Sequence, residues 1–149
     1  MRAVYIAVPL LFTTIGCSDF HESAYPTAEA ARHAGVVERG WLPQVLPARA
    51  TEIRERHNVD TNEIVGSFAF QATDAEALRG LEQIPQERVR QIAGPHRVPS
   101  WWPEVLRGDL EPPELARADL EILKEKQGEF LFAIDWKTGR CFFWSAVRK

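Results

Sequence analysis

The sequence predicts an α+β domain in which an antiparallel sheet of about four strands packs with several short helices. Three observations carry that prediction. Residues 63–70 alternate in side-chain character with a period of two. Residues 130–145 hold two apolar runs on either side of a short loop ending in Gly139. Several segments elsewhere carry helix start and stop signals at close spacing, so any helices are short.

The chain opens with Met1-Arg2 and an uncharged run from Ala3 to Gly16. A basic start followed by a short apolar stretch is an export signal. A spanning helix needs about 20 apolar residues; this run is shorter and contains Pro9. The junction at the end of the run resembles a bacterial lipoprotein signal. Gly16-Cys17 matches the small residue and cysteine of that family, and Ile15 is acceptable, whereas Thr14 stands where leucine is usual. The resemblance implies cleavage before Cys17, acyl chains on its thiol and a membrane partner held through that lipid. In the resembling family an aspartate directly after the cysteine favours inner-membrane retention; Ser18 stands there, so the resemblance implies the periplasmic side of the outer membrane. An ordinary cleaved signal with a spare thiol is the alternative. The expected organisation is a signal peptide at 1–16, a lipidated cysteine and tether at 17–26, and one globular domain at 27–149.

Residues 17–149 suffice for one domain with its own core. The formal charge of the 149-residue chain is −3, with no basic run. That argues against a nucleic-acid partner and against electrostatic membrane binding. There are two cysteines. With Cys17 acylated, Cys141 lacks an internal partner, so the domain is expected to hold together without disulfides.

Taken in order, Ser18 to Pro26 is too short to reach farther than about 30 Å. Thr27 to Arg39 reads as a helix, with Thr27 as N-cap and Gly40 as its stop. Pro43 and Pro47 hold an extended loop from which Trp41, Val45 and Leu46 plug the core. Pro47 to His57 reads as a short helix with Ala50, Ile53 and His57 on one side. The clearest single strand is Glu63 to Phe70. Thr73-Asp74-Ala75-Glu76 fits a capping box before a helix that ends by Pro85, and Gln86 to Ile92 suits another. Residues 93–116 are proline-rich and hold Trp101-Trp102, with one helical piece at Ser100 to Arg107. Loops of this length are often functional, although the tryptophans also suit a lid on the core.

At the C-terminal end, Phe130 to Asp135 and Arg140 to Ser145 form a hairpin across 136–139. That register sets Asp135 opposite Arg140, Ile134 opposite Cys141 and Phe132 opposite Phe143. Both faces are apolar, which places the hairpin centrally under two covering layers. Asp119 to Lys126 is ambiguous in period. Gln127-Gly128 suits a turn, so a third strand at the sheet edge is favoured.

Chemistry is scarce. The four histidines, His21, His33, His57 and His96, lack zinc spacing. No nucleophile elbow, phosphate loop or dinucleotide fingerprint occurs. Residues 57–63 form the densest polar cluster. Asp60 and Asn62 begin like a calcium loop, but Gln71 stands where the closing glutamate belongs. Turn chemistry fits Asp60, Thr61 and Asn62 better than acid–base work. The expectation is therefore no catalytic residue, no metal site and no cofactor, with Trp101, Trp102, Asp60 and Asn62 as the candidate binding surface.

Gly40-Trp-Leu-Pro-x-x-Leu-Pro-x-x-Ala-x-x-Ile, followed by His57-Asn-x-Asp-Thr-Asn-Glu, Phe68-x-Phe and the late Ala-Ile-Asp-Trp-x-x-Gly-Arg-x-x-Phe-Trp hairpin, resembles small exported bacterial proteins with a YbbD-type head domain. No activity comes with that resemblance. Two functions from different classes remain open. One is a noncatalytic periplasmic module that binds a protein or envelope component; an immunity protein or inhibitor would look the same. The other is a small-ligand-binding protein or enzyme using the 93–116 loop, for which Asp60, Glu63 and His96 would have to converge on one pocket.

Overall fold

The computed structural model describes residues 19–146. The expected signal peptide and Cys17 lie outside the described residues. Among those described, no helix is long and apolar enough to cross a membrane.

The architecture is α+β, but the antiparallel sheet has seven strands among the described residues rather than about four. Its strands are β1 (Phe20–Thr27), β2 (Thr51–Asn58), β3 (Ile64–Ala69), β4 (Glu82–Gln83), β5 (Glu121–Lys124), β6 (Phe130–Asp135) and β7 (Arg140–Ser145). Their spatial order is β1-β2-β3-β7-β6-β5-β4. Two ladders thus meet at one junction, where β3 and β7 pair antiparallel.

Much of the underestimate comes from the N-terminal part. The stretch expected as a tether is β1, an edge strand paired with β2 along its whole length, from Phe20 opposite Asn58 to Thr27 opposite Thr51. Only Phe20, Ser23 and Tyr25 of β1 are half-buried and the rest are exposed. Backbone pairing rather than an apolar period defines the strand. Residues 51–58, expected as part of a helix, form β2. Ile53, Glu55 and His57 point inward, while Arg54 is exposed and Arg56 half-buried. Ile53 and His57 are four apart, a spacing that suits either structure, and a glutamate at an inward position conceals the alternation. A bulge between Thr51 and Arg54 shifts the pairing with β3, and Glu52 at the bulge has φ of 50°.

The first helix, α1, starts where expected. Thr27 Oγ1 accepts from Ala30 N at 3.2 Å. It spans only Ala28–His33, because Gly35 turns the chain with φ of 71°. Val36, Val37, Leu42 and Leu46 then fill the core from irregular chain. The capping box does not form; α2 covers Glu76–Arg79 without a side-chain cap. Asp74 Oδ2 instead accepts from Arg49 N at 2.7 Å. Helix α3 is Gln86–Val89. The expected helical piece at 100–107 is a single 3₁₀ turn, Glu104–Leu106. Helix α4, Pro112–Arg117, occupies the end of the stretch read as loop; a proline opens a helix readily, since its missing N–H has no partner in the first turn anyway.

The C-terminal hairpin has the expected register, with Asp135 opposite Arg140, Ile134 opposite Cys141 and Phe132 opposite Phe143. The third strand exists as β5, but it is not the edge, because β4 pairs outside it. Lys124 reaches across to Glu82 at 3.2 Å.

Both sheet faces are covered. Ile53, Phe68, Phe132, Ile134, Cys141 and Phe143 meet residues 28–50 and α2 on one face. Val65, Ile122, Ala133 and Trp144 meet residues 84–120 on the other. Gly66 lies against the first core, and a Cβ there would collide with the Phe143 ring. Cys141 is fully enclosed, and burial pushes its thiol well above the ordinary range, as expected for an inert structural cysteine.

Candidate functional site

The structure separates the four residues of the expected binding surface. Trp102 is 6 % exposed. Its ring stands perpendicular to Trp144 at 6.1 Å and near-perpendicular to Phe142 at 5.8 Å, and its Nε1 donates to Leu106 O at 3.3 Å. It is a core residue, as the lid reading expects. Trp101 is half-buried and donates from Nε1 to Glu22 Oε1 at 2.6 Å. Asp60 and Asn62 lie in the exposed β2–β3 turn. Asn58 Oδ1 accepts from the backbone of Asp60 and of Thr61, both at 2.9 Å, and Asn62 has φ of 56°. These are the marks of a turn held by an asparagine side chain.

A concave site lies elsewhere, at the sheet end where β1, β3 and β6 begin and β7 ends. A cavity of about 540 Å³ opens there, lined on the sheet side by Val65, Leu131 and Trp144. Residues 91–97, which run into the proline-rich stretch at Ala93, line it from the opposite side. Their position is fixed by a bridge between Ala93 and Asp109 and a bond from Gly94 N to Gly108 O at 2.6 Å. A Cβ on Gly94 would run into the Leu106 carbonyl, so the loop could not pack there with a larger residue. Pockets of roughly 300–1,000 Å³ suit small molecules.

The polar groups of this cavity come from distant parts of the chain. Arg56 and Arg97 line it together with Glu63, His96 and Ser145. Glu63 and His96 therefore converge, as the ligand-binding alternative required, whereas Asp60 does not. The Arg56 guanidinium lies 4.0 Å above the Phe20 ring, a cation–π contact that holds the side chain against β1. Trp144 is 1 % exposed, and its Nε1 has no hydrogen-bond acceptor. Ser145 is not poised for attack. Its Oγ donates to Asn62 O at 3.2 Å and accepts from Ile64 N at 2.9 Å.

A second polar group lies on the opposite face of the sheet. Glu55 is 0 % exposed and His57 4 %. His57 Nδ1 and Glu55 Oε2 share a hydrogen bond of 2.8 Å. Trp41 stacks on His57 with centroids 3.8 Å apart and planes at 18°, and His21 approaches at 5.5 Å. Burial raises the Glu55 carboxyl above its ordinary value, opposed by the bond to His57. Its second oxygen, Oε1, accepts no hydrogen bond. Sequence reasoning missed this pair, because it placed residue 57 on a helix, where 55 and 57 do not face each other.

Comparison with known proteins accords with part of this architecture. No curated protein and no solved structure matches the chain. Residues 19–69 match the family model of the YbbD head domain. The match ends on the last residue of β3 and takes in β1, β2 and β3 with the Trp41, Glu55 and His57 cluster. The late hairpin that also carried the resemblance lies outside it. The region 19–69 of this chain is thus YbbD head domain-like.

Proposed function

We propose that this chain is a noncatalytic binding module that a lipid on Cys17 holds at the bacterial cell envelope, on the periplasmic side of the outer membrane. The observation that carries the binding reading is the cavity at the end of the sheet, lined by Val65, Leu131 and Trp144 and by residues 91–97. Its position suits an envelope ligand. Phe20 lines the cavity, and Cys17 precedes Phe20 by three residues, a span of about 10 Å at most. An acylated Cys17 would keep the opening close to the bilayer.

Two observations support a role without catalysis. The Ser145 hydroxyl is committed to the backbone on both sides, so it lacks the partner base that activates a serine. The Glu55–His57 pair, the only buried carboxylate–imidazole pair among the described residues, is shut under Trp41, away from solvent.

Fractionation tests the anchor. Wild-type protein is expected to stay with the membranes after carbonate washing, and the Cys17→Ser variant to leave them. A variant that stays behind would end the anchoring reading. Native mass spectrometry of protein isolated from envelopes tests the binding reading. A noncovalently bound small molecule is expected, and its consistent absence would count against the module being a small-ligand binder.

A further inference from the structure

We infer that the cavity at the end of the sheet binds an amphipathic monoanion, with a carboxylate head between Arg56 and Arg97 and an apolar body along Val65, Leu131 and Trp144. This rests on the proposed binding role and specifies the ligand.

The charge argument comes first. Arg56 and Arg97 both line the cavity, against one carboxylate, Glu63. Among the described residues neither arginine takes part in an ion pair or a side-chain hydrogen bond. Arg140, by contrast, pairs with Glu52 at 2.8 Å. Arg56, seated on the Phe20 ring, and Arg97 thus line one cavity with no carboxylate bound to either, and guanidinium groups offer forked donors to a planar carboxylate.

The second argument is independent of charge. The Trp144 indole N–H is buried and has no acceptor, and a buried donor without a partner costs about 1–3 kcal/mol. Trp144 belongs to the cavity wall, so an acceptor atom brought in by a ligand can satisfy that donor. The same side chain supplies apolar surface beside Val65 and Leu131. The lining thus combines an apolar floor with a few donors and a positive rim, the arrangement that selects ligands with one polar end.

The test uses the full-length chain carrying Cys17→Ala. This variant cannot be acylated, so the result is independent of the anchor. Calorimetric titration with sodium octanoate is compared with 1-octanol and octylammonium, which keep the chain and change the head. Octanoate is expected to bind at least about tenfold more tightly than 1-octanol, and octylammonium more weakly than either. Arg97→Gln is expected to lower octanoate affinity about tenfold while leaving 1-octanol affinity unchanged, and Arg97→Glu to abolish the preference. Arg97 is exposed, so both variants keep the fold, which thermal melts verify. Trp144→Phe retains a ring without a donor and should weaken octanoate and 1-octanol, whose oxygens can accept from the indole N–H, but not octylammonium, which has no acceptor. Equal affinity for octanoate and 1-octanol, or indifference to Arg97→Glu, would overturn the assignment. If none of the three probes binds while a native ligand is retained by mass spectrometry, the octanoate-type ligand class is wrong and the binding reading stands.

Discussion

His57 Nδ1 lies 2.8 Å from Glu55 Oε2, two residues along the same strand, with both side chains closed off from solvent. Adjacent inward positions of β2 therefore bury a carboxylate and an imidazole among aromatic rings. Such pairs hold together well but are costly to desolvate, so removing one partner is far worse than replacing the charge. Glu55→Ala is expected to destabilise the domain by about 3 kcal/mol, whereas Glu55→Gln keeps a hydrogen-bonding partner for His57 and should leave the melting temperature at neutral pH unchanged or higher. Chemical denaturation of the two variants checks the order.

The same carboxyl sets a pH dependence. Burial raises Glu55 above its ordinary value of 4.5, so the folded state keeps this proton to higher pH than the unfolded chain does. The stability it contributes is complete below about 4.5 and is lost as pH rises through the folded value. Denaturant melts between about pH 4 and 8 should show wild-type stability falling relative to Glu55→Gln as pH increases. A gap that stays constant with pH would contradict the shift.

Trp101 and Trp102 are adjacent and should behave very differently. Trp102→Ala removes a ring packed against Trp144 and Phe142 and is expected to cost about 3–5 kcal/mol. Trp101→Phe loses one exposed hydrogen bond to Glu22, worth less than about 1 kcal/mol. Equilibrium unfolding of both variants reads the difference.

Gly66 is needed for the space it leaves rather than for its backbone. Its added Cβ would meet the Phe143 ring, so Gly66→Ala should cost about 1–3 kcal/mol through overpacking. Phe143→Leu frees that space, and the double variant should be more stable than the sum of the two losses implies. A double-mutant cycle measures the coupling.

In the β2–β3 turn the roles of two asparagines divide. Asn58 is buried and its Oδ1 holds two backbone N–H groups, so Asn58→Ala should cost about 1–3 kcal/mol. Asn62 supplies the positive φ, which glycine adopts freely, and Asn62→Gly should change stability by less than about 0.5 kcal/mol. Thermal melts distinguish the two.

The parts of the fold that could be read from sequence are those in which local pattern and tertiary need agree. The hairpin at 130–145 was legible to the residue pair, because Gly139 fixes the loop and both flanking runs are apolar. Strand β2 was not, because Glu55 and His57 occupy inward positions that an apolar pattern assigns to hydrophobic side chains. Strand β1 lacks a pattern, since its ladder to β2 is made by the main chain. The cavity was legible only in fragments. Glu63 and His96 were candidates and both line it, yet Phe20, Arg56, Arg97 and Trp144 carry no local signal that would unite them. The antiparallel register of β1, β2, β3 and β7 brings Phe20, Arg56 and Trp144 to one end of the sheet, and the loop tied down by the Ala93–Asp109 bridge sets Arg97 beside them.

The pairing of β3 with β7 has a consequence for modularity. The YbbD head domain-like segment stops at Ala69, yet the outer hydrogen-bonding groups of its last strand are occupied by Arg140 to Trp144. Excised at that point, residues 19–69 would present a bare ribbon flank, prone to zip onto any extended chain it met. The boundary in sequence is therefore no boundary in structure: in this chain the late hairpin serves as the segment's selvedge.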